Sequence, residues 1–168
     1  ILWPGLLAYL GFRLRAVDEP SDFVLAIGRA VLTSSVLLGT LEFFRNVCRG
    51  MGLGQAHFGW DINSLRLVRR TQWLFIAMAL PLIFIVVVSE SQSNEFIKSS
   101  LGRVAFLGTL VVLAFCTHRL THPLTGALSP LYKESPMGWG TRLQRVWYLL
   151  SLSVPLMLGV LSLSGYHY

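Results

Sequence analysis

Leu74-Phe75-Ile76-Ala77-Met78-Ala79-Leu80-Pro81-Leu82-Ile83-Phe84-Ile85-Val86-Val87-Val88 runs without a single charge, and its flanks extend it to Thr71–Ser89. A helix needs ~20 apolar residues to cross the hydrocarbon core of a bilayer, within a range of about 17–25. Lipid offers no partner to an open backbone N–H or C=O, so a stretch of this length must close its hydrogen bonds internally, as a helix. It is too long for a barrel strand. The segment therefore predicts a transmembrane helix, and the rest of the chain is read outward from it.

The composition agrees. Hydrophobic residues make up 54% of the 168 residues and charged residues 13%, with a mean hydropathy of +0.61. Soluble domains carry about 25% charged residues, and a water-soluble core of this size has no room for so much apolar sequence. The formal net charge is +6 and the pI about 9.9. The arginines lie between apolar runs and form no basic tail, so the positive-inside bias accounts for them and no nucleic-acid partner is expected. Cys48 and Cys116 show neither a CxxC pair nor metal-finger spacing and read as small reduced hydrophobes. The chain starts Ile1-Leu2-Trp3-Pro4, inside apolar sequence and without the charged start of a signal peptide. It is expected to be a fragment of a larger chain.

Four more apolar stretches accompany the first, over about 1–14, 23–44, 101–117 and 146–163. The expected fold is all-α, a polytopic transmembrane helical bundle of about five spans forming one domain over 1–168. The stretch at 1–14 is short, and spans the bilayer only if further chain extends it. Pro81 and Pro155 fall mid-span, where transmembrane helices tolerate proline as a kink. Gly28, Gly39, Gly108 and Gly159 offer close-packing surfaces, though none repeats as a GxxxG seam.

Charge in the connections sets the topology. The segment 45–70 holds Arg45, Arg49, Arg66, Arg69 and Arg70 against Asp61, and 118–145 holds Arg119, Lys133, Arg142 and Arg145 against Glu134. The two alternate connections are balanced or acidic. The basic loops 45–70 and 118–145 are therefore assigned to the cytoplasm. Trp60, Trp73, Trp139 and Trp147 suit the headgroup belt on that side, and Tyr166 and Tyr168 the opposite one.

Within the first basic loop, Asp61 is a candidate N-cap, with Trp60 before it as half of a hydrophobic staple. Ile62, Leu65 and Val68 then recur at helical spacing. An amphipathic helix on the inner leaflet would set Arg66, Arg69 and Arg70 among anionic headgroups, each worth about 1 kcal/mol there. A simple helix start carrying topology charges is the alternative. Glu42 lies one turn from the end of its span, with Arg45 at i+3 as its expected ion-pair partner. Arg29 lies near the outer end of the same span and is expected to snorkel outward.

His118 and His122 stand one helical turn apart, which would suit two metal ligands. No carboxylate or cysteine accompanies them and Pro123 ends the helix, so they read as interfacial residues. His57 and Asp61 fail the spacing of a membrane acyltransferase pair. Gly50-Met51-Gly52-Leu53-Gly54 lacks a Walker lysine and follows a span instead of a strand. No cofactor, no metal and no enzymatic activity are expected.

Several loop segments together resemble a known family. They are Phe43 through Arg49, Gly52-Leu53-Gly54-Gln55-Ala56-His57-Phe58-Gly59-Trp60, Leu65 to Arg70, Gly138-Trp139-Gly140-Thr141-Arg142-Leu143-Gln144-Arg145-Val146-Trp147-Tyr148, Val154-Pro155, and Leu163-Ser164-Gly165-Tyr166-His167-Tyr168. In this order, between spans, they resemble the inner-membrane domain of large MscS-like mechanosensitive channels, the potassium-dependent MscK-type group included. The resemblance implies a multi-pass domain in the bacterial inner membrane, part of a homo-oligomer (a heptamer) with membrane lipid as partner. It implies a peripheral position, helping to sense tension during osmotic downshock, because the Gly/Ala-rich pore helix and the β-rich vestibule of such channels have no counterpart in these residues. On that reading Arg66, Arg69 and Arg70 contact headgroups, and Pro81 and Pro155 shape the spans. The competing class is part of a secondary transporter, which predicts inverted repeats and midplane charge; neither is visible. A membrane-embedded enzyme would have to use His57, Asp61, His118 and His122.

Overall fold

The computed structural model describes residues 2–17, 21–49, 60–91, 98–122, 125–127, 129 and 143–164. Among these the chain is all helix: α1 (Leu2–Arg15), α2 (Asp22–Val47), α3 (Ile62–Glu90), α4 (Arg103–Thr121) and α5 (Gln144–Leu163), with a π-helical turn, Lys98–Gly102, leading into α4. Four stretches have the length and apolarity to cross a membrane: Asp22–Val47, Ile62–Glu90, Ser100–Thr121 and Arg145–Leu163. Between 11% and 28% of each one's most apolar window is buried inside the protein. The remaining surface is large and apolar, as in Val36, Val104, Val111 and Met157, which is what a lipid-facing helix presents.

Four of the about five expected spans are membrane-length helices in the expected order, and the structure bears on two places that the sequence left open. The segment α1 has 14 residues, about 21 Å at 1.5 Å per residue, too short to cross ~30 Å of hydrocarbon alone. The second place is α3. Of the two readings of the segment after Asp61, a separate surface helix or the start of the span, the structure has the second: Arg66, Arg69 and Arg70 lie on one continuous helix of 29 residues. The cause is local. Asp61 Oδ2 accepts the backbone N–H groups of Asn63 (3.0 Å) and Ser64 (3.2 Å) and starts the helix. No glycine or proline interrupts it before Pro81, and the helix continues through that proline.

Two compact units divide the chain, Ile1–Phe43 with Ile76–Thr109, and Phe44–Phe75 with Leu110–Tyr168. In the first unit small residues let backbones meet. The α2 face of Ala26, Gly28, Ala30, Ser34 and Ser35 is buried. A Cβ added at Gly11 of α1 would lie 2.8 Å from Leu32 Cγ and 3.1 Å from the Gly28 carbonyl oxygen. One added at Gly28 would lie 3.3 Å from the Gly11 oxygen. The close-packing seam is thus one glycine from each helix, a pairing that no single-helix GxxxG pattern reveals. Ser35 Oγ donates to the Pro4 carbonyl at 2.9 Å and ties the start of α1 to the same face. Farther along this unit Gly108 meets Leu82 and Gly102 meets Ser89, each at 3.3 Å from where a Cβ would stand.

In the second unit the buried positions of α5 are Pro155 and Ser162, seven residues apart on one stripe. Most other α5 side chains are exposed. The Pro155 ring cannot donate to the carbonyl one turn earlier, and it lies on the packed side of the helix.

Candidate functional site

The last turns of α2 and the third turn of α3 make the most polar feature of the second unit. Arg45 and Asn46 lie on the last turn of α2, and Arg49 lies in the turn that follows it. On α3, Arg69 and Trp73 are four residues apart. These five residues line a cavity of about 400 Å³. The Arg45 guanidinium carbon lies 5.2 Å from the centroid of the Trp73 ring, a cation–π contact. Arg49, Arg69, Asn46 and Trp73 are exposed and Arg45 half-buried.

Cys48 is buried in the turn that follows α2. Burial pushes its thiol above the ordinary cysteine range, and the Arg69 guanidinium opposes that shift. The basic neighbours of Arg69 in sequence do not join it: Arg66 and Arg70 are exposed and line no part of the cavity. Of the three arginines that the sequence groups together, the structure sets one in the cavity and two outside it. Arg45, Arg49 and Trp73, which the sequence marked singly as an ion-pair partner, a topology charge and an interfacial aromatic, line the same cavity, a grouping the sequence did not show.

Chemically the five side chains offer hydrogen-bond donors and positive charge. Among the described residues that line it there is no carboxylate, nucleophile or general base. Guanidinium groups of this kind can donate hydrogen bonds to an anion.

A second polar cluster joins α4 to α5. His118 Nδ1 lies 2.7 Å from the Tyr148 hydroxyl, and the ring centroids of His118 and His122 are 5.5 Å apart. His122 Nδ1 accepts the Thr125 backbone N–H at 3.3 Å. Past the helix end the Gly126 N–H reaches the His122 carbonyl at 2.8 Å and the Ala127 N–H the Leu120 carbonyl at 2.9 Å. A Cβ at Gly126 would collide with those carbonyl oxygens, so the exit turn requires glycine. The two histidines thus have structural partners, one of which, Tyr148, lies 30 residues from His118. Among the described residues no three metal-ligating side chains gather. His57 and the glycine-rich 50–54 segment lie outside the described residues, and the Asp61 carboxylate is engaged as a helix cap.

In the first unit Arg29 lines a cavity of about 460 Å³ with Arg15, Leu32, Thr33, Val87, Glu90 and Ser91. Glu42 and Arg45 lie three residues apart within α2, and Pro81 and Pro155 lie inside α3 and α5.

With four membrane-length helices, outward apolar faces and a basic end established, comparison with known proteins decides the family. The mechanosensitive ion channel inner membrane domain 1 model matches residues 1–168, the whole chain. The chain belongs to this MscS-type family. It is also similar to the miniconductance mechanosensitive channel MscM of Escherichia coli (strain K12), 27% identical over 163 residues, which is 97% of this chain and 14% of that protein. No solved structure matches it. As an MscS-type inner-membrane domain it is a multi-pass bacterial membrane segment, and the family is one of channel domains and not an enzyme class.

Proposed function

We propose that this MscS-type domain is the lipid-facing periphery of a mechanosensitive channel and carries bilayer tension to a pore built from other residues. The observation that carries the reading is the family match over the entire chain together with spans whose most apolar windows are at most 28% buried. Tension favours the state with the larger area in the membrane plane, and peripheral helices bias it only if lipid engages them differently in the two states. In this reading the ends of α2 and α3 face the cytoplasm. Arg66, Arg69 and Arg70 engage headgroups there, Glu42 pairs with Arg45, and Pro81 and Pro155 bend α3 and α5 to fit their neighbours. The assembled channel is a homo-oligomer, a heptamer by the family resemblance, relieving osmotic downshock, and its loop sequences resemble those of the potassium-dependent group. The similarity to MscM supports the channel class, while the chain spans 14% of that protein's length.

Patch-clamp recording of the full-length protein, with and without residues 1–168, tests this. The deletion is expected to raise the tension threshold; a threshold that stays in place would reduce the domain to a structural collar. Recording in potassium and in sodium tests the subgroup, where equal open probability removes the potassium dependence.

A further inference from the structure

We propose that the cavity lined by Arg15, Arg29 and Glu90 in the first unit is a binding site for a zwitterionic lipid headgroup, a phosphate joined to a primary ammonium as in phosphoethanolamine. The proposal rests on the lipid-facing reading of the domain and gives that reading a defined site and ligand chemistry.

Three helices build the site, all within the first unit. Arg15 is the last residue of α1, Arg29 stands seven residues after the start of α2, and Glu90 is the last residue of α3. They surround about 460 Å³, within the range of small-ligand sites. None of the three is ion-paired among the described residues. A carboxylate at a helix C-terminus meets the negative end of the dipole, and an arginine inside a span is costly without a counter-charge. A ligand that carries both signs and lies between them offsets both costs.

The walls divide by hydrogen-bonding role. From α1 and α2 come the guanidinium groups, which only donate; from α3 comes the Glu90 carboxylate, which only accepts. Ser91 joins the accepting wall, because its Oγ already donates to the Val87 carbonyl at 2.8 Å and has lone pairs left to offer. A phosphate accepts and suits guanidinium groups in planar, bidentate geometry. A primary ammonium donates and suits Glu90 and Ser91. A purely anionic headgroup leaves the α3 wall without a donor, and a quaternary ammonium has no N–H to give it.

One of the long side chains is ordered in advance. A Cβ added at Gly28 would lie 2.8 Å from Arg15 Cγ, so the Arg15 stem runs against the α2 backbone one residue before Arg29. That contact lowers the entropy lost when a ligand binds.

The depth suits a headgroup. Glu90 comes two residues after the charge-free run Leu74–Val88 and 21 residues after Arg69 on one continuous helix, about 31 Å along its axis. That distance matches the hydrocarbon thickness of a bilayer, so the cavity sits at the opposite bilayer boundary from Arg69. Leu32 and Val87 form its apolar part and give acyl chains a surface. A soluble phosphate–ammonium zwitterion shares the headgroup's chemistry but gains nothing from that surface, so the membrane lipid is the occupant.

The test is lipid retention by the full-length protein, solubilised from vesicles of equal parts phosphatidylethanolamine, phosphatidylglycerol and phosphatidylcholine and read by native mass spectrometry. The wild type is expected to retain phosphatidylethanolamine over phosphatidylcholine; a wild type without that preference overturns the proposal. Glu90→Gln should erase the preference while phosphatidylglycerol is held at least as well as before, because the phosphate contacts remain. Arg29→Gln should lower retention of phosphatidylethanolamine and phosphatidylglycerol alike by about fivefold, the effect of one arginine near a headgroup. Arg29→Lys, which keeps the charge and loses the planar fork, should restore part of it.

Arg13→Gln removes the same charge from α1 outside the cavity and should leave retention in place. An equal loss in that control would overturn the proposal in favour of diffuse surface charge. Lowered melting temperatures in Arg29→Gln and Glu90→Gln with lipid retention intact would also overturn it, reducing the two residues to a structural contact. Glycerophosphoethanolamine at millimolar concentration separates the two sources. Competition by it that depends on Glu90, without any preference among the lipids, would assign the site to a soluble zwitterion and overturn the lipid. Unchanged size-exclusion elution of each variant establishes that it is folded and assembled. Retention is read without tension, so its failure is distinct from an unshifted gating threshold.

Discussion

The α1–α2 seam and the arginine cavity sit on the same long helix, α2, and use opposite devices. At the seam α2 presents Ala26, Gly28, Ala30, Ser34 and Ser35, and a glycine of α1 comes close enough that one added carbon would overlap its neighbours. At the cavity the end of α2 and the turn after it present Arg45, Asn46 and Arg49, and Arg69 and Trp73 line the other side from α3, around a space of about 400 Å³. Lipid provides no hydrophobic force to drive helices together, so the first device relies on van der Waals contact at close range. The second relies on charge at the water boundary, where long side chains keep their hydration. One region is closed by backbone approach, and the other leaves a cavity between its side chains.

That contrast breaks most readily at Gly11. Gly11→Leu should destabilise the protein by about 3 kcal/mol, the upper end of overpacking costs, because its Cβ meets the Gly28 carbonyl and the Leu32 backbone nitrogen. Thermal melting of the detergent-solubilised protein measures it. Gly28→Leu should cost less, since the nearest atom to its Cβ is Cγ of the flexible Arg15 side chain. Equal melting shifts for the two would show that the seam does not depend on backbone approach.

Asp61→Ala removes the cap shared by the Asn63 and Ser64 amides and should cost about 1 kcal/mol. Hydrogen exchange should speed up at those two amides and leave the α3 residues beyond Trp73 protected. Exchange that spreads through the apolar run would mean the first turns and the span unfold as a unit.

Ser35→Ala deletes the hydrogen bond to the Pro4 carbonyl and should cost about 0.6 kcal/mol, the average for polar contacts between membrane helices. Arg45→Gln should cost the least, about 0.5 kcal/mol for an interfacial cation–π contact, and the same melting experiment reads it. A shift as large as that of Gly11→Leu would make the arginine end a structural joint and erase the distinction between the two regions.

The spans were legible in sequence because the 3.6-residue helix needs only length and apolarity to cross lipid, and Leu74–Val88 supplies both. The Asp61 cap was legible for a similar reason, since a cap acts over three residues. What stayed open was whether that cap starts the span itself or a separate surface helix. Amphipathic spacing in Ile62, Leu65 and Val68 describes a surface helix equally well, and only the uninterrupted helix of 29 residues distinguishes the two. The site was half legible. Arg66, Arg69 and Arg70 read as one basic group, yet 100° of rotation per residue turns Arg69 into the cavity and leaves its neighbours outside. Tyr148 was invisible as a partner of His118, because a pair 30 residues apart leaves no periodic trace.

The sequence by itself determined that this chain is helical, crosses the membrane, and concentrates its positive charge in alternate connections. Those properties follow from the solvent: the bilayer accepts apolar helices and excludes open backbone, whatever the helices then touch. Tertiary structure alone decided that Gly11 meets Gly28 and that three arginines from two helices surround one cavity beside Trp73. These depend on which faces two helices turn toward each other, and in a bilayer apolar faces are nearly interchangeable. Small residues, charges and their distances make the choice, and they act only once the helices are side by side.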